Sequence, residues 1–395
     1  MTAPLRLVMV SGEPSGDRLG APLIRALRAQ AGRDIEITGV GGELMQAEGL
    51  TPLFDADELA IMGIAEVAPK IFSLLARIRQ TADHVAGVRP DALITIDSPS
   101  FGLRVAAKAR AARPDLRTIH YVAPSVWAWR PGRAAHMARY VDHVLALLPF
   151  EPPYMQAAGM TCDFVGHPVV EHPVPGPDAQ AALRARLGIG ARPMLVVLPG
   201  SRGGEVSRLS APFGQTLALL HARTPGLAVV VPAARNVAAR VLAGVADWPG
   251  EVHVLDPRGL VPDAAEAQKF TAFAAADAAL AASGTVALEL AAMGVAQVTA
   301  YRLNALTAMI VKRLVLVEHV NLVNLLLDRR IVPEFVQHAL RAADVADAVA
   351  HLLTDPAARA AQESAANDAL TLLGRGAEPP SARAAASVLR AMARG

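Results

Sequence analysis

The 395-residue chain holds one cysteine, Cys162, which excludes an internal disulfide and any zinc site built on cysteines. A reducing compartment is the expectation. Aromatic residues make up only 4%, so the apolar mass is Ala, Leu and Val, which favours helix-rich α/β packing over an aromatic β-sandwich. Neither charge sign is in excess: 38 Lys and Arg face 36 Asp and Glu. That near balance argues against a dedicated nucleic-acid binder. No uncharged apolar run approaches the ~18–20 residues that span a bilayer. The stretch from Ala305 to Leu327 comes nearest, but Lys312, Arg313 and Glu318 interrupt it. The first residues run into a short apolar segment and a Gly/Asp loop, which reads as a β-strand rather than a signal peptide. The chain has neither G-x-G-x-x-G after its first strand nor G-K-[ST], so the nicotinamide fingerprint and the Walker loop are both missing.

Hydrophobic residues are 53%, charged residues 19%, and the mean hydropathy is +0.32. A large core is therefore expected, and disorder is excluded as the main state. Short apolar runs alternate with amphipathic stretches, the pattern of an α/β protein. Expected strands are Leu5–Val10, Ile35–Val40, Ala92–Ile96, Thr118–Val122 and Val144–Leu148. After a Pro-rich linker running from Gly166 to Pro177 the pattern restarts, with strands at Met194–Leu198, Leu227–Val231, Val252–Leu255 and Ala278–Ala282. Leu19, Leu23 and Leu27, and later Leu209, Phe213 and Leu217, share helix faces at four-residue spacing. The expected architecture is two Rossmann-like lobes with a ligand cleft between them. Residues 1–168 form the first lobe, 169–341 the second, and 342–395 an alanine-rich helical tail that packs back on the first lobe or is swapped in a dimer.

Five loops could carry chemistry. Ser11-Gly12-Glu13-Pro14-Ser15-Gly16-Asp17 follows the first strand, where a glycine turn lets backbone approach a ligand. Glu13 and Ser15 are candidate substrate contacts there; a tight turn with Asp17 near a helix start is the competing reading. Asp97 directly follows the strand Ala92–Ile96, at the kind of carboxyl end where α/β sites form. It could take a proton from an attacking hydroxyl; on spacing alone, an Asx turn or helix cap before Pro99 is the stronger reading. Trp127 and Trp129, two of three tryptophans, sit beside Arg130 and Arg133, a combination suited to a sugar face or a phosphate, or else a packing corner. Pro199-Gly200-Ser201-Arg202-Gly203-Gly204-Glu205 links a strand to a helix, and its amides with Arg202 could hold a diphosphate without a metal. Ser283-Gly284-Thr285 leads a helix carrying Glu289, which could grip ribose hydroxyls; an ordinary N-cap is the alternative. Separately, residues 58–79 combine an apolar face with Lys70, Arg77 and Arg79, as in a membrane-surface segment or simply a buried helix.

Together these stretches resemble the lipid-A-disaccharide synthase family, glycosyltransferases with the two-lobed GT-B fold. The matching motifs are S-G-E-P-S-G-D, G-V-G-G-E-L-M-Q-A-E-G, E-L-A-I-M-G-I-A-E-V, I-H-Y-V-A-P-S-V-W-A-W-R-P-G-R, F-V-G-H-P, L-P-G-S-R-G-G-E, A-S-G-T and the segment from Asn324 to Gln337. They run in order over most of the chain, and the W-A-W-R-P-G-R stretch is the most specific. The resemblance implies transfer from UDP-2,3-diacylglucosamine to 2,3-diacylglucosamine 1-phosphate, giving a β-1,6-linked disaccharide 1-phosphate and UDP by one inverting displacement. It implies Asp97 as base, Arg202 on phosphate, Glu289 by the ribose and Asn324 near the donor; because Arg202 and the helix amides can neutralise departing UDP, no metal is expected, and no cofactor. It also implies a homodimer at the cytoplasmic face of the inner membrane, held peripherally by the apolar segment around residues 61–78. Departures from the family pattern are Ser100 and Gly102 after the I-D-x-P turn, Val323 before the asparagine of N-L-L, and Asp328 where glycine is usual. A different UDP-sugar enzyme of two-lobed form, or a non-catalytic nucleotide-sugar or lipid binder, are the competing readings.

Overall fold

In a computed structural model, the structure describes residues 3–60, 67–129, 132–304 and 317–393. The chain divides into two compact units, residues 1–171 with 376–395, and residues 172–375.

The first unit is built on a seven-stranded sheet: β1 (Leu5–Ser11), β2 (Ile35–Val40), β3 (Leu50–Pro52), β4 (Ala92–Ile96), β5 (Thr118–Tyr121), β6 (His143–Ala146) and β7 (Thr161–Phe164). The spatial order is β3-β2-β1-β4-β5-β6-β7, and every pair is parallel. Parallel strands need helical crossovers, and these cover both faces. On one face Leu7 and Met9 of β1 pack with Leu23, Ile24 and Leu27 of the helix Pro14–Gln30 and with Val388 of the last helix, Pro380–Ala393. On the other, Val8 and Val10 pack with Ile78 and Val85 of the helix Val67–Val88.

The second unit has a six-stranded parallel sheet: β8 (Met194–Leu198), β9 (Ala228–Pro232), β10 (Glu251–Leu255), β11 (Ala278–Ala281), β12 (Gln297–Tyr301) and β13 (Glu334–Val336). Its order, β10-β9-β8-β11-β12-β13, repeats the winding of the first sheet. Leu209, Phe213 and Leu217 of the helix Gly203–Arg223 lie at zero exposure in its core, as their spacing requires.

Several details differ from the sequence reading, among them the strand expected at Val144–Leu148, which runs His143–Ala146. The strand expected to reach Val122 stops at Tyr121, because Val122 turns into the left-handed region at φ 83°. The linker holds a turn of 3-10 helix at Pro168–Glu171, and the units divide just after it. The tail does not stay together. The helices Ala342–Thr354 and Pro356–Leu372 belong to the second unit, whereas Pro380–Ala393 belongs to the first. That last helix is anchored by polar bonds: Ser387 Oγ lies 2.7 Å from His143 Nε2 and donates to Asp163 at 2.7 Å.

Candidate functional site

In each sheet the chain winds one way from the first strand, returns, and winds the other way. The reversal leaves a crevice at the carboxyl ends of β1 and β4, and of β8 and β11, where ligands bind in open parallel sheets. Four of the five loops singled out in the sequence fall at these two places, and the loop with Trp127 and Trp129 follows β5, next to β4.

In the first unit the backbone of the loop after β1 lies against the Ser98 side chain of the loop after β4. A Cβ on Gly12 would lie 2.7 Å from Ser98 Oγ, and one on Gly16 would lie 2.5 Å from Ser11 Oγ. The glycines are therefore required by close approach. Asp97 and Ser98 both adopt left-handed backbone, at φ 49° and 39°, and Val122 on the adjacent loop does so at 83°. Strain at three non-glycine residues on neighbouring strand ends marks a site whose geometry the surrounding packing imposes. The Asp97 N–H donates to Tyr121 O at 2.9 Å, fixing the turn. Half-buried, the Asp97 side chain accepts a 2.7 Å hydrogen bond from Ser15 Oγ. Ser15 and Glu13 are exposed at the start of the helix Pro14–Gln30. Asp17 turns away from the crevice loop and accepts from Leu44 N and Met45 N, capping the helix Glu43–Ala47.

Beneath Asp97, Thr95 Oγ1 lies 2.8 Å from His120 Nδ1. Burial pushes the His120 imidazole down to about 4, the Asp97 charge pulling the other way and Arg133 adding to the fall. His120 is thus neutral in the physiological range. After β5, Trp127 donates its indole N–H to Glu151 Oε1 at 3.2 Å and meets Phe150 edge-on at 5.1 Å between centroids. Trp129 is more exposed, at 38%. Arg130 lies outside the described residues.

In the second unit, Gly200 takes φ 123° and lets the chain fold over Glu205. The Glu205 carboxylate, 6% exposed, accepts from Ser201 N (3.1 Å) and Arg202 N (3.3 Å), and meets Arg202 Nη1 and Tyr301 OH. The Arg202 side chain is 82% exposed. Arg208 and Arg240 flank the same helix start, bonded to the carbonyls of Arg302 and Gly203. Three guanidinium groups at the N-terminus of a 21-residue helix form an anion-binding geometry.

Ser283 Oγ donates to Val320 O at 2.8 Å, and Gly284 takes φ 147°. Thr285 precedes a helix of just seven residues, Val286–Ala292, without a side-chain capping bond, and the short helix's dipole adds little. Glu289 is ion-paired with Lys269 at 3.0 Å. Asn324 is fully buried with its amide saturated: Nδ2 donates to Val332 O and Glu334 Oε1, and Oδ1 accepts from Ile331 N and Val332 N. It acts on its own neighbourhood, pinning the chain beyond the helix Leu322–Leu327. Asp328, at φ 48°, ends that helix in the conformation that favours glycine.

Sequence reasoning missed Glu151, Glu205 and Glu334. Glu205 stands at the third position of its helix and bonds back to the cap, but the cap residue is Arg202 rather than Ser or Thr, so the usual capping pattern does not reveal it. For Glu151 and Glu334 no local signal exists. Among the described residues no group of three or more His, Cys, Asp or Glu side chains could hold a metal ion.

The family described as lipid-A-disaccharide synthetase matches residues 7–388. A lipid-A-disaccharide synthase of Ruegeria pomeroyi is 53% identical over 385 residues, covering 98% of this chain and 95% of that one. Its counterpart in Rhodospirillum centenum is 46% identical over 389 residues, covering 98% and 94%. Among solved structures, UDP-GlcNAc 2-epimerase of Neisseria meningitidis, bound to UDP-GlcNAc, superposes with a TM-score of 0.65 over the whole of both chains at 11% identity, a likeness of fold alone.

Proposed function

The chain belongs to the lipid-A-disaccharide synthetase family and is a glycosyltransferase of lipid A disaccharide synthesis, and we propose that it works by direct displacement with Asp97 as base. The donor is UDP-2,3-diacylglucosamine and the acceptor 2,3-diacylglucosamine 1-phosphate. The 6-hydroxyl of the acceptor gives its proton to Asp97 as its oxygen attacks C1 of the donor, and UDP leaves from the opposite face. The products are the β-1,6-linked disaccharide 1-phosphate and UDP. The observation that carries this reading is the Ser15–Asp97 hydrogen bond at the crevice of the first sheet, with Asp97 held in left-handed backbone. The Ser15 hydroxyl orients one carboxylate oxygen, and Glu13 stands beside it for the acceptor.

In the second unit, Arg202 and the amides at the start of the helix Gly203–Arg223 neutralise the diphosphate as UDP departs. Ser283, Gly284 and Thr285 shape the other side of that crevice, while Glu289 reaches the ribose with its Lys269 pair as orienter. Asn324 supports the site by fixing its border. No metal has a role in this scheme, so activity is expected to survive a chelator.

Both substrates are acylated, and the reading includes contact with a membrane surface. Phe72 and Leu75, one turn apart on the helix Val67–Val88, are 75% and 47% exposed. Residues 61–66 of the same apolar segment lie outside the described residues. No described helix is long and apolar enough to cross a membrane. Phe72→Glu is expected to abolish co-sedimentation with vesicles while sparing turnover in micelles. A homodimer belongs to the same reading and is checked by light scattering.

The mechanism is tested by Asp97→Asn. Turnover is expected to fall by about 10²–10⁴-fold with UDP affinity unchanged in calorimetry. Full turnover in that variant would remove Asp97 from the base role.

A further inference from the structure

We propose that Glu151 is a positioning residue that sets the Trp127–Trp129 loop through its bond to the Trp127 indole. The proposal rests on the reading of this edge as the acceptor side. Strands β4, β5 and β6 are neighbours, so the chain after each of them emerges at one edge: Asp97 after β4, Trp127 after β5 and Glu151 after β6. Glu151 is 3% exposed and uses both carboxylate oxygens as acceptors. Oε1 takes the Trp127 indole N–H at 3.2 Å. Oε2 takes the amides of Leu147 and Leu148 at 3.0 and 2.9 Å. Phe150 closes the other flank of the indole. Two residues beyond Trp127, Trp129 is in reach of solvent. The carboxylate therefore ties the β6 turn to the β5 loop, and the indole is the sole donor it receives from that loop among its described bonds.

Burial raises the Glu151 carboxyl to about 7 against the pull of its three hydrogen bonds. The titratable group coupled to it is the Cys162 thiol on β7, pushed up to about 12 by burial first and by Glu151 next, so that thiol stays neutral. Tyr154 on the adjoining helix Pro152–Ala157 is exposed. Asp97, after β4, and Arg133, in the helix Gly132–Met137, are charges felt at His120.

Glu151→Gln is the discriminating change because it keeps size and shape. All three partners are donors, and a glutamine offers them one oxygen and one NH₂. Whichever way it turns, one set of donors faces another donor. The expected effect is a rise in KM for the acceptor of roughly tenfold, the worth of one hydrogen bond to a charged group, with kcat changed less.

The measurement is a double-mutant cycle with Trp127→Phe, read as acceptor KM, together with the indole N–H signals of the three tryptophans in ¹⁵N-labelled enzyme. Trp127→Phe assigns the Trp127 signal. If Glu151 acts through the indole, Glu151→Gln has no further effect on KM in the Phe background. The Trp127 signal then shifts with pH in the neutral range in the parent and loses that dependence in Glu151→Gln. Additive effects on KM, or a Trp127 signal indifferent to Glu151→Gln, would overturn the proposal. If the Phe background is inactive, the indole signal decides alone. A parent enzyme that shows the coupled indole signal but makes no disaccharide would instead sink the acceptor-side reading.

Discussion

Ser15 Oγ donates a 2.7 Å hydrogen bond to Asp97 Oδ2 across 82 residues of chain. It joins the first turn of the helix after β1 to the end of β4, the two elements that border the crevice of the first sheet. Loss of the donor in Ser15→Ala is expected to slow turnover roughly tenfold, the value of one hydrogen bond to a charged group. The fold should be untouched, since Ser15 is exposed. Steady-state kinetics beside a thermal melt check it; equal loss of stability would make the bond structural instead.

Gly200→Ala places a Cβ 2.5 Å from Glu205 Cβ and 2.7 Å from Glu205 Oε2, at a φ of 123°. The substitution is expected to cost about 1–3 kcal/mol in strain. It also pushes Glu205 off the Ser201 and Arg202 amides, so UDP affinity should fall with stability. Chemical denaturation and UDP titration measure both. Parent-like values for the two would show that this loop tolerates rearrangement.

Asn324→Ala leaves the Ile331 and Val332 amides without the acceptor they share and removes a donor from Glu334. A buried network broken this way is expected to lose roughly 3 kcal/mol. Because the amide is saturated within the protein, the loss should appear in denaturation midpoints more than in UDP affinity measured well below the melting temperature. A stable variant with lost UDP binding would give Asn324 a direct role on the donor.

The Glu151 carboxyl has its folded pKa raised from the ordinary 4.5 to about 7. Between those values the folded state binds more protons than the unfolded state, so stability falls as pH rises. The contribution is fully present below about 4.5 and lost as pH passes about 7, an amount on the order of 3 kcal/mol. His120 works oppositely: held down at about 4, it withdraws stability as pH falls from 6.5. The Glu151 part is isolated as the difference between parent and Glu151→Gln, measured by urea unfolding from pH 4.5 to 7.5. That difference should slope downward with pH; a flat difference would place the carboxyl near its ordinary value.

Much of this was legible in the chain. Ile35–Val40, Ala92–Ile96 and Met194–Leu198 are strands with the bounds their apolar runs suggest, since both faces of a parallel strand are buried. The loops at 11–17, 97–99, 199–205 and 282–285 stood out because glycine, proline and polar residues interrupt apolar runs there. The short outer strands β3, β7 and β13 did not, having three or four residues each and no continuous buried run. Acids withdrawn from water, Glu151 fully and Glu334 by half, were the larger gap. Glu151 and Glu334 find their partners through tertiary packing, and an acid's neighbours in sequence do not reveal whether water reaches it. The same holds for Trp127, whose clustering with Trp129 was visible while its bond to Glu151 was not. The division of the tail was equally hidden, because helices of similar composition pack on different units.

The most direct test of the proposed reaction is a mass-spectrometric assay in detergent micelles, with UDP-2,3-diacylglucosamine and 2,3-diacylglucosamine 1-phosphate supplied together. The account predicts UDP and the disaccharide 1-phosphate in equal amounts, both lost in Asp97→Asn. UDP released without disaccharide, or neither product from folded enzyme across several acyl lengths, would contradict it.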